Sequence, residues 1–121
     1  QSAGPETFVK TLPVDAEIAL FDISEPLLEE IEALRPFGEG NPEPLFMARS
    51  VDVVSAKPVG ADHMRMQIRQ EGGGRIFDAI RFRAGNQLPR SRFERVAFQV
   101  RWNRWRGRRR LQLVVRAVDG E

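Results

Sequence analysis

The stretch RWNRWRGRRR, residues 101–110, holds the side chains best suited to bind a ligand. Its arginines alternate with two tryptophans; a guanidinium pairs with phosphate, and an indole ring stacks on an unpaired base. This combination predicts contact with a single-stranded nucleic acid. The predicted contact residues of this stretch are Arg101, Arg104, Trp105, Arg106, Arg108, Arg109 and Arg110.

Other interpretations of this stretch stay open. The arginines would also suit a solvated edge strand that is kept charged to prevent sheet-to-sheet pairing. Trp102 follows the inward alternation of its strand and is predicted to pack in the core. Trp105 falls in the predicted turn NRWRG, where base stacking and docking on another domain explain it equally well.

The charge of the chain is distributed unevenly. Residues 1–48 hold two basic and ten acidic residues, a net charge of −8, and residues 49–121 hold 17 basic and seven acidic residues, a net charge of +10. Sixteen of those 17 basic residues are arginine, which a GC-rich genome would also produce. We favour a polyanionic partner for the basic part.

Groups suited to catalysis are sparse. Glu39 and Glu43 flank the GNP triplet, but carboxylates in a proline-rich turn are more often solvated than catalytic. Cysteine is absent and His63 is the single histidine, which excludes thiolate chemistry and argues against a histidine-based metal site. The sequence contains no P-loop, dinucleotide fingerprint or nucleophile motif. We therefore expect no reaction from this chain alone, and neither a metal nor a cofactor in it.

A helix is predicted before the basic part. Ser24 can cap it, and Pro36 must end it, because the residue before a proline disfavours the α region. Its apolar face is formed by Leu27, Leu28, Ile31 and Leu34. Residues 14–23, upstream of the helix, alternate in polarity and predict a short strand or an extended lead-in.

Apolar residues recur at every second position from Leu45 onward. This period predicts five strands, at residues 46–58, 63–69, 75–83, 95–102 and 108–118. Five short strands joined by short turns predict a small closed barrel, SH3-like or OB-like. In the third strand, Ile76, Ile80 and Phe82 are assigned to the interior. The outward faces of the second and third strands are then predicted to add the nucleic-acid contacts Arg65, Arg69, Phe77, Arg81 and Arg83.

The stretch RPFGEGNPEPLF, residues 35–46, is predicted to be a structural connector. No helix follows it whose amides could face an anion, which argues against a phosphate-binding loop. Its glycines are expected to permit backbone turns, its prolines to stiffen the chain, and its phenylalanines to anchor both ends to the core. The connector residues are Pro36, Phe37, Gly38, Gly40, Asn41, Pro42, Pro44 and Phe46.

Five segments in order, LRPFGEGNPEPLF, the alternating strand after it, VGADHMRMQI, DAIRF and NRWRGRRRLQLVV, resemble the C-terminal part of the bacterial RecJ single-strand-specific exonucleases. The resemblance covers roughly residues 12–118. It implies an OB-fold that follows a DHH domain, which binds Mn²⁺ or Mg²⁺, and a DHHA1 domain. It also implies a parent enzyme that degrades single-stranded DNA from the 5′ end in recombination and repair. No DHH or DHHA1 motif is present here, and the GRRRLQL segment is more basic than this family leads us to expect.

The sequence thus predicts a mainly β chain: a linker or tag remnant at 1–11, expected to be flexible, an extended segment, helix and connector at 12–44, and a five-stranded OB-fold barrel at 45–121. Its predicted function is single-stranded DNA binding within a RecJ-like 5′ to 3′ exonuclease. The alternative is a module that docks on the DHH/DHHA1 core or on a partner such as single-strand-binding protein. The sequence begins with Gln1, which suggests a fragment of a larger protein. Without a basic-then-apolar leader or the roughly 20 apolar residues of a membrane helix, we expect a cytoplasmic protein without a membrane partner.

Overall fold

The computed structural model describes residues 8–85 and 87–120. Within these residues the strands are β1 (Ala16–Glu17), β2 (Phe46–Val59), β3 (His63–Gln70), β4 (Phe77–Arg81), β5 (Arg92–Trp105) and β6 (Arg108–Asp119). The helix α1 spans Glu25–Glu32, and two 3₁₀ segments span Val9–Thr11 and Leu20–Asp22. Strands β2 to β6 correspond to the five predicted strands, and β1 lies in the predicted lead-in.

Strands β2 to β6 close into a barrel. The ring runs β2, β3, β4, β6 and β5, and β5 pairs again with β2. Strand β2 can serve two neighbours because it is 14 residues long; residues 46–52 pair with β5 and residues 51–59 with β3. Ser50, with φ of 57°, lies where one set of pairings gives way to the other. The predicted five-stranded barrel is therefore confirmed.

Alternate residues of the strands fill the barrel. Met64, Met66 and Ile68 of β3 point inward, on the face opposite the predicted outward Arg65, and all three are at most 2% exposed. Helix α1 begins at its predicted cap, where Ser24 Oγ accepts a hydrogen bond from the Leu27 N–H at 3.2 Å. Leu28 and Ile31 of the helix join the barrel core. Burial of each such aliphatic side chain stabilises the fold by roughly 1.5–3 kcal/mol.

The predicted face assignment of β4 is wrong. Phe77 and Ala79 lie opposite Ile68 and Met66 of β3 and are buried in the core, whereas Ile76 and Phe82 lie outside the strand and are exposed. Ile76 lies in the loop before β4 and Phe82 lies in the turn after it, so their apolar side chains misled the alternation. Phe77 is consequently a core residue and not a nucleic-acid contact.

The N-terminal end of the packed structure lies before residue 12, where the predicted linker ends. Val9 is 3% exposed, and its N–H donates to Asp119 Oδ1 at 3.2 Å. Its buried cluster contains Leu45, Met47, Ala97 and Ala117. The rest of the predicted linker, residues 1–7, lies outside the described residues.

The connector folds back onto the end of the helix. Asn41 Nδ2 donates to the carbonyl oxygens of Leu34 at 2.7 Å and Pro36 at 3.0 Å. Phe46 is buried in the core and Phe37 packs against it, in agreement with the sequence prediction.

The two connector glycines do not need the conformational freedom of glycine. Neither Gly38 nor Gly40 has φ in the left-handed region, and a Cβ at either position would meet no atom within 4 Å. The predicted turn is present, since the backbones of Gly38 and Asn41 exchange hydrogen bonds of 2.9 and 3.1 Å, but it does not depend on a conformation reserved for glycine.

Candidate nucleic-acid interface

Strands β5 and β6 continue as a two-stranded hairpin beyond Gln112, the first β6 residue that pairs with β4. Arg106 and Gly107 form its two-residue turn, with φ of 51° and 73°. Positive φ at both positions is the pattern of a type I′ turn, which suits Gly at the second position. Trp105 pairs with Arg108 at the end of the strands. The prediction that Trp105 falls in the turn is wrong, because both strands extend closer to the turn than their apolar alternation indicates.

The arginines of the hairpin are divided between its two faces. Residues directly opposite each other in an antiparallel pair point to the same face. Arg104 pairs with Arg109 on the face that continues into the barrel core through Trp102 and Leu111. Asn103 pairs with Arg110, and Trp105 with Arg108, on the outer face.

The core-side face of the hairpin contacts helix α1. The Arg109 guanidinium lies 4.2 Å from the centroid of the Trp102 ring, and Arg109 Nη2 donates to Glu29 Oε2 at 3.1 Å. Trp102 is half-buried and packs against the core, as predicted. Arg109 is therefore held by the acidic N-terminal part of the chain.

Arg101 lies on the outer face, but it also forms an ion pair with an acidic side chain. Its Nε and Nη2 each donate to a carboxylate oxygen of Glu43 at 2.9 Å. These hydrogen bonds, more than the charge of Glu43, raise the pKa of Arg101 above its usual value, against the opposing effect of burial. Arg101, a predicted nucleic-acid contact, thus links the barrel to the connector.

The outer face carries a surface pocket of about 280 Å³, lined by Arg65, Asn103, Trp105, Arg108 and Arg110. Arg65 comes from β3, and the other residues come from the hairpin. Trp105 is 66% exposed, and the Arg106 guanidinium lies 4.5 Å from the centroid of its ring. The structure therefore brings four of the predicted contact residues together with Asn103 in one pocket.

The pocket is strongly cationic. Arg110 Nη1 is 3.9 Å from Asp78 Oδ2, a long contact with 72% of the arginine side chain exposed. Arg65 and Arg108 form no ion pair within the part of the chain that the structure describes. Asn103 was missed by the sequence analysis, although the alternation that places Arg101 outside places it there too.

The other predicted contacts do not line this pocket. Arg81 lies opposite Met64 and therefore belongs to the core face of the sheet, whereas Arg65 belongs to the outward face. Arg83 follows β4 with φ of 57°, and its backbone N–H donates to His63 Nδ1 at 3.1 Å. Arg69 is half-buried, and its Nε has no hydrogen-bond partner among the described residues. The predicted cluster of Arg65, Arg69, Arg81 and Arg83 around Phe77 is therefore not formed.

The described residues contain no group of three or more His, Cys, Asp or Glu side chains placed to hold a metal ion. None of the helices among them is long and apolar enough to cross a membrane.

The order of the strands around the barrel defines the class of protein. Numbered along the barrel, the ring reads one, two, three, five, four and back to one, which is the Greek-key order of the OB-fold. OB-folds bind oligonucleotides on the face of their second and third strands and on the loop between the fourth and fifth. Here Arg65 lies on the second barrel strand, and the β5–β6 hairpin is the fourth-to-fifth connection.

Comparison of the sequence with known families specifies the protein further. The model of the RecJ OB domain matches residues 14–117, so the chain belongs to this family. The resemblance inferred from its motifs is confirmed. The matched region is the OB domain, and the DHH catalytic domain is not contained in this chain.

The relatives are much longer proteins, each named a single-stranded-DNA-specific exonuclease RecJ. The chain is 30% identical to the protein of Dickeya dadantii over 104 residues, which are 84% of this chain and 18% of that protein. It is 28% identical to the protein of Bacillus subtilis over 117 residues, which are 92% of this chain and 14% of that protein. It is 31% identical to the protein of Escherichia coli over 98 residues, which are 76% of this chain and 17% of that protein. The chain thus spans less than a fifth of the length of these relatives.

Solved structures show the same fold. RecJ from Thermus thermophilus, in complex with Mg²⁺, superposes with a TM-score of 0.63 and 23% identity over 80% of this chain and 15% of that one. The structure of the same protein with Mn²⁺ gives the same TM-score and identity and covers 14% of that chain.

Proposed function

We propose that this OB domain binds single-stranded DNA for a RecJ exonuclease and does not hydrolyse it. The observation that carries the proposal is the outer-face pocket, where Arg65, Arg108 and Arg110 surround the exposed ring of Trp105. The relatives are named for specificity toward single-stranded DNA, which agrees with this chemistry.

The pocket suits a single strand better than a duplex. Phosphates of the strand are neutralised by the arginines, which releases condensed counterions and makes the affinity depend on salt. The ring of Trp105 offers a surface on which an unpaired base can stack, whereas bases within a duplex already stack on each other. Both contacts are independent of base sequence, as a nuclease that degrades any strand requires.

Hydrolysis belongs to the remainder of the enzyme in this proposal. The described residues offer no metal-ligand cluster, so the Mn²⁺ or Mg²⁺ that the family implies would be held by the DHH core. The OB domain would hold the strand while that core cleaves it from the 5′ end, in DNA recombination and repair in the cytoplasm.

Fluorescence anisotropy with a labelled oligo-dT tests the binding. The informative variant carries Arg65→Ala and Arg108→Ala, two exposed arginines of the pocket. Its matched control carries Arg90→Ala and Arg116→Ala, two exposed arginines that do not line the pocket. The two variants have the same net charge.

The pocket variant should bind more weakly. Its plot of log affinity against log salt, which has a negative slope, should become shallower by about 0.7 for each phosphate that the variant no longer neutralises. The control should keep most of the affinity and the slope of the unmodified chain. Absence of binding at low salt, or an equally large decrease in affinity for both variants, would contradict the proposal.

A second candidate function is docking on the DHH/DHHA1 core or on a partner such as single-strand-binding protein. It is favoured by large exposed apolar side chains outside the pocket, among them Phe21 at 59% and Phe82 at 51%. The test is titration of this chain with the separately expressed core. Tight association that Phe21→Ser and Phe82→Ser weaken, without oligonucleotide binding by the free chain, would favour docking over DNA binding.

A further inference from the structure

The outer-face pocket is small. Pockets that take up a whole drug-sized ligand begin at about 300 Å³, and this pocket holds about 280 Å³. Its lining combines guanidinium groups from two separate elements, β3 and the hairpin, with one indole ring and one side-chain amide. Such a lining can bind both parts of a nucleotide, because its cations suit the phosphate and its ring and amide suit the base.

The indole of Trp105 is available on one side. Arg106 lies over the ring at 4.5 Å from its centroid, so a base has to stack on the opposite face. The guanidinium also restricts the rotation of a side chain that is otherwise 66% exposed. A ring that is held in place loses less conformational entropy when a base stacks on it.

Asn103 adds a group that phosphate binding does not require. Its side-chain amide carries donors and an acceptor, and it makes no hydrogen bond within the described part of the chain. It lies two residue pairs further from the turn than Trp105, on the same face of the strand. The exposed edge of every base presents hydrogen-bonding atoms, and an amide can bond to such an edge.

We propose that this pocket is a subsite for one unstacked nucleotide, with its base on Trp105, the base edge on Asn103 and its phosphate between Arg65 and Arg108. The inference rests on the proposed single-stranded DNA binding and adds that the base and phosphate contacts form one subsite, in which Asn103 bonds to the edge of the base. An acidic peptide would satisfy the arginines, but it has no flat ring for Trp105, so the nucleotide is the better match.

The experiment compares two 12-residue labelled ligands of equal charge, oligo-dT and a fully abasic strand of the same length, by anisotropy at fixed low salt. The unmodified chain should bind oligo-dT at least about fivefold more tightly, given the usual contribution of one stacked base. Trp105→Ala should remove that preference, and Asn103→Ala should reduce it by about two- to threefold. Each variant should lose more affinity for oligo-dT than for the abasic strand.

Arg108→Ala is the matched control, because it removes a phosphate-binding side chain from the same pocket. It should weaken both ligands by the same factor and leave the preference for bases intact. Thermal melting of each variant verifies that it is folded; all three positions are exposed, so little change is expected.

The possible outcomes separate the two proposals. Equal binding of oligo-dT and the abasic strand by the unmodified chain overturns the nucleotide subsite and leaves single-stranded DNA binding in place. Failure to bind either strand overturns both. A poly-glutamate 12-mer that competes as well as oligo-dT at the same salt would identify the pocket as a site for acidic peptides and overturn the subsite.

Discussion

Arg101 donates two hydrogen bonds to Glu43, from Nε and from Nη2, each at 2.9 Å. The pair joins β5 to the connector across 58 residues of sequence, and the side chain of Glu43 is only 12% exposed. Bidentate geometry and partial burial make such a pair stronger than an ordinary surface ion pair. An arginine that looks like a DNA contact in the sequence therefore stabilises the fold.

Removal of either partner of this pair should destabilise the domain. Glu43→Ala and Arg101→Ala are each expected to lower the free energy of unfolding by roughly 1–3 kcal/mol. Urea denaturation of the two single variants and the double variant gives their coupling energy. The control cycle uses Glu17 and Arg49, a pair at 2.9 Å with both side chains about half exposed. Its coupling should stay below about 1 kcal/mol, and equal couplings in the two cycles would refute the argument.

The connector illustrates what local sequence can and cannot predict. Its role as a connector follows from its prolines. The burial of Phe46 follows from the alternating strand that begins at this residue. The contact of Glu43 with Arg101 depends on the closed barrel, which brings distant segments together. The glycine content was misleading, because glycine is permitted in ordinary backbone conformations as well as in left-handed ones.

Asn41, rather than a glycine, should be the sensitive position of the connector. Asn41→Ala removes the two hydrogen bonds to the carbonyl oxygens of Leu34 and Pro36. We expect a loss of roughly 1–2 kcal/mol in the free energy of unfolding. Gly40→Ala is the control, since its new Cβ meets no atom within 4 Å and φ is not in the left-handed region. A melting temperature lowered more by Gly40→Ala than by Asn41→Ala would contradict this assignment.

Gln70 should stabilise β2 near Ser50, where the pairing of the strand changes from β5 to β3. Its Oε1 accepts from the Leu20 N–H at 2.8 Å, and its Nε2 donates to the carbonyl oxygens of Arg49 at 2.6 Å and Ser50 at 3.2 Å. Gln70→Ala leaves these backbone groups without their partner and should cost roughly 2–3 kcal/mol in urea denaturation.

Gln67, on the same strand, provides the comparison for Gln70. It is exposed, and its side chain accepts one hydrogen bond, from Ser55 Oγ at 3.2 Å. Gln67→Ala should therefore change stability by no more than about 0.5 kcal/mol. If the two alanine variants unfold at the same urea concentration, the Gln70 contacts do not stabilise this part of β2.

Alternation correctly predicted the outward side chain of Arg65 on β3 and the inward side chain of Trp102 on β5, because these strands are long enough for their period to be clear. It failed on β4, which has five residues and apolar neighbours beyond both ends. Residue type alone predicted a basic hairpin. It did not show which arginines are available, because Arg101 and Arg109 are paired with acids 58 and 80 residues away in sequence.

Asp78 should weaken DNA binding by attracting Arg110. Its Oδ2 lies 3.9 Å from Nη1 of Arg110, which lines the pocket. Asp78→Asn keeps the size of the side chain and removes its charge, so Arg110 becomes fully available to a phosphate. We expect the affinity for oligo-dT to rise about two- to threefold at low salt and the gain to shrink at high salt, where the charges are screened.

Two comparisons separate release of Arg110 from a general change in net charge. Asp62→Asn makes the same charge change at a carboxylate that lies beside His63 rather than beside a pocket arginine, and it should raise the affinity less. In the Arg110→Ala background, Asp78→Asn should no longer improve binding, since the arginine that it releases is gone. A gain of equal size for Asp62→Asn, or one that persists without Arg110, would show that Asp78 acts only through the overall charge.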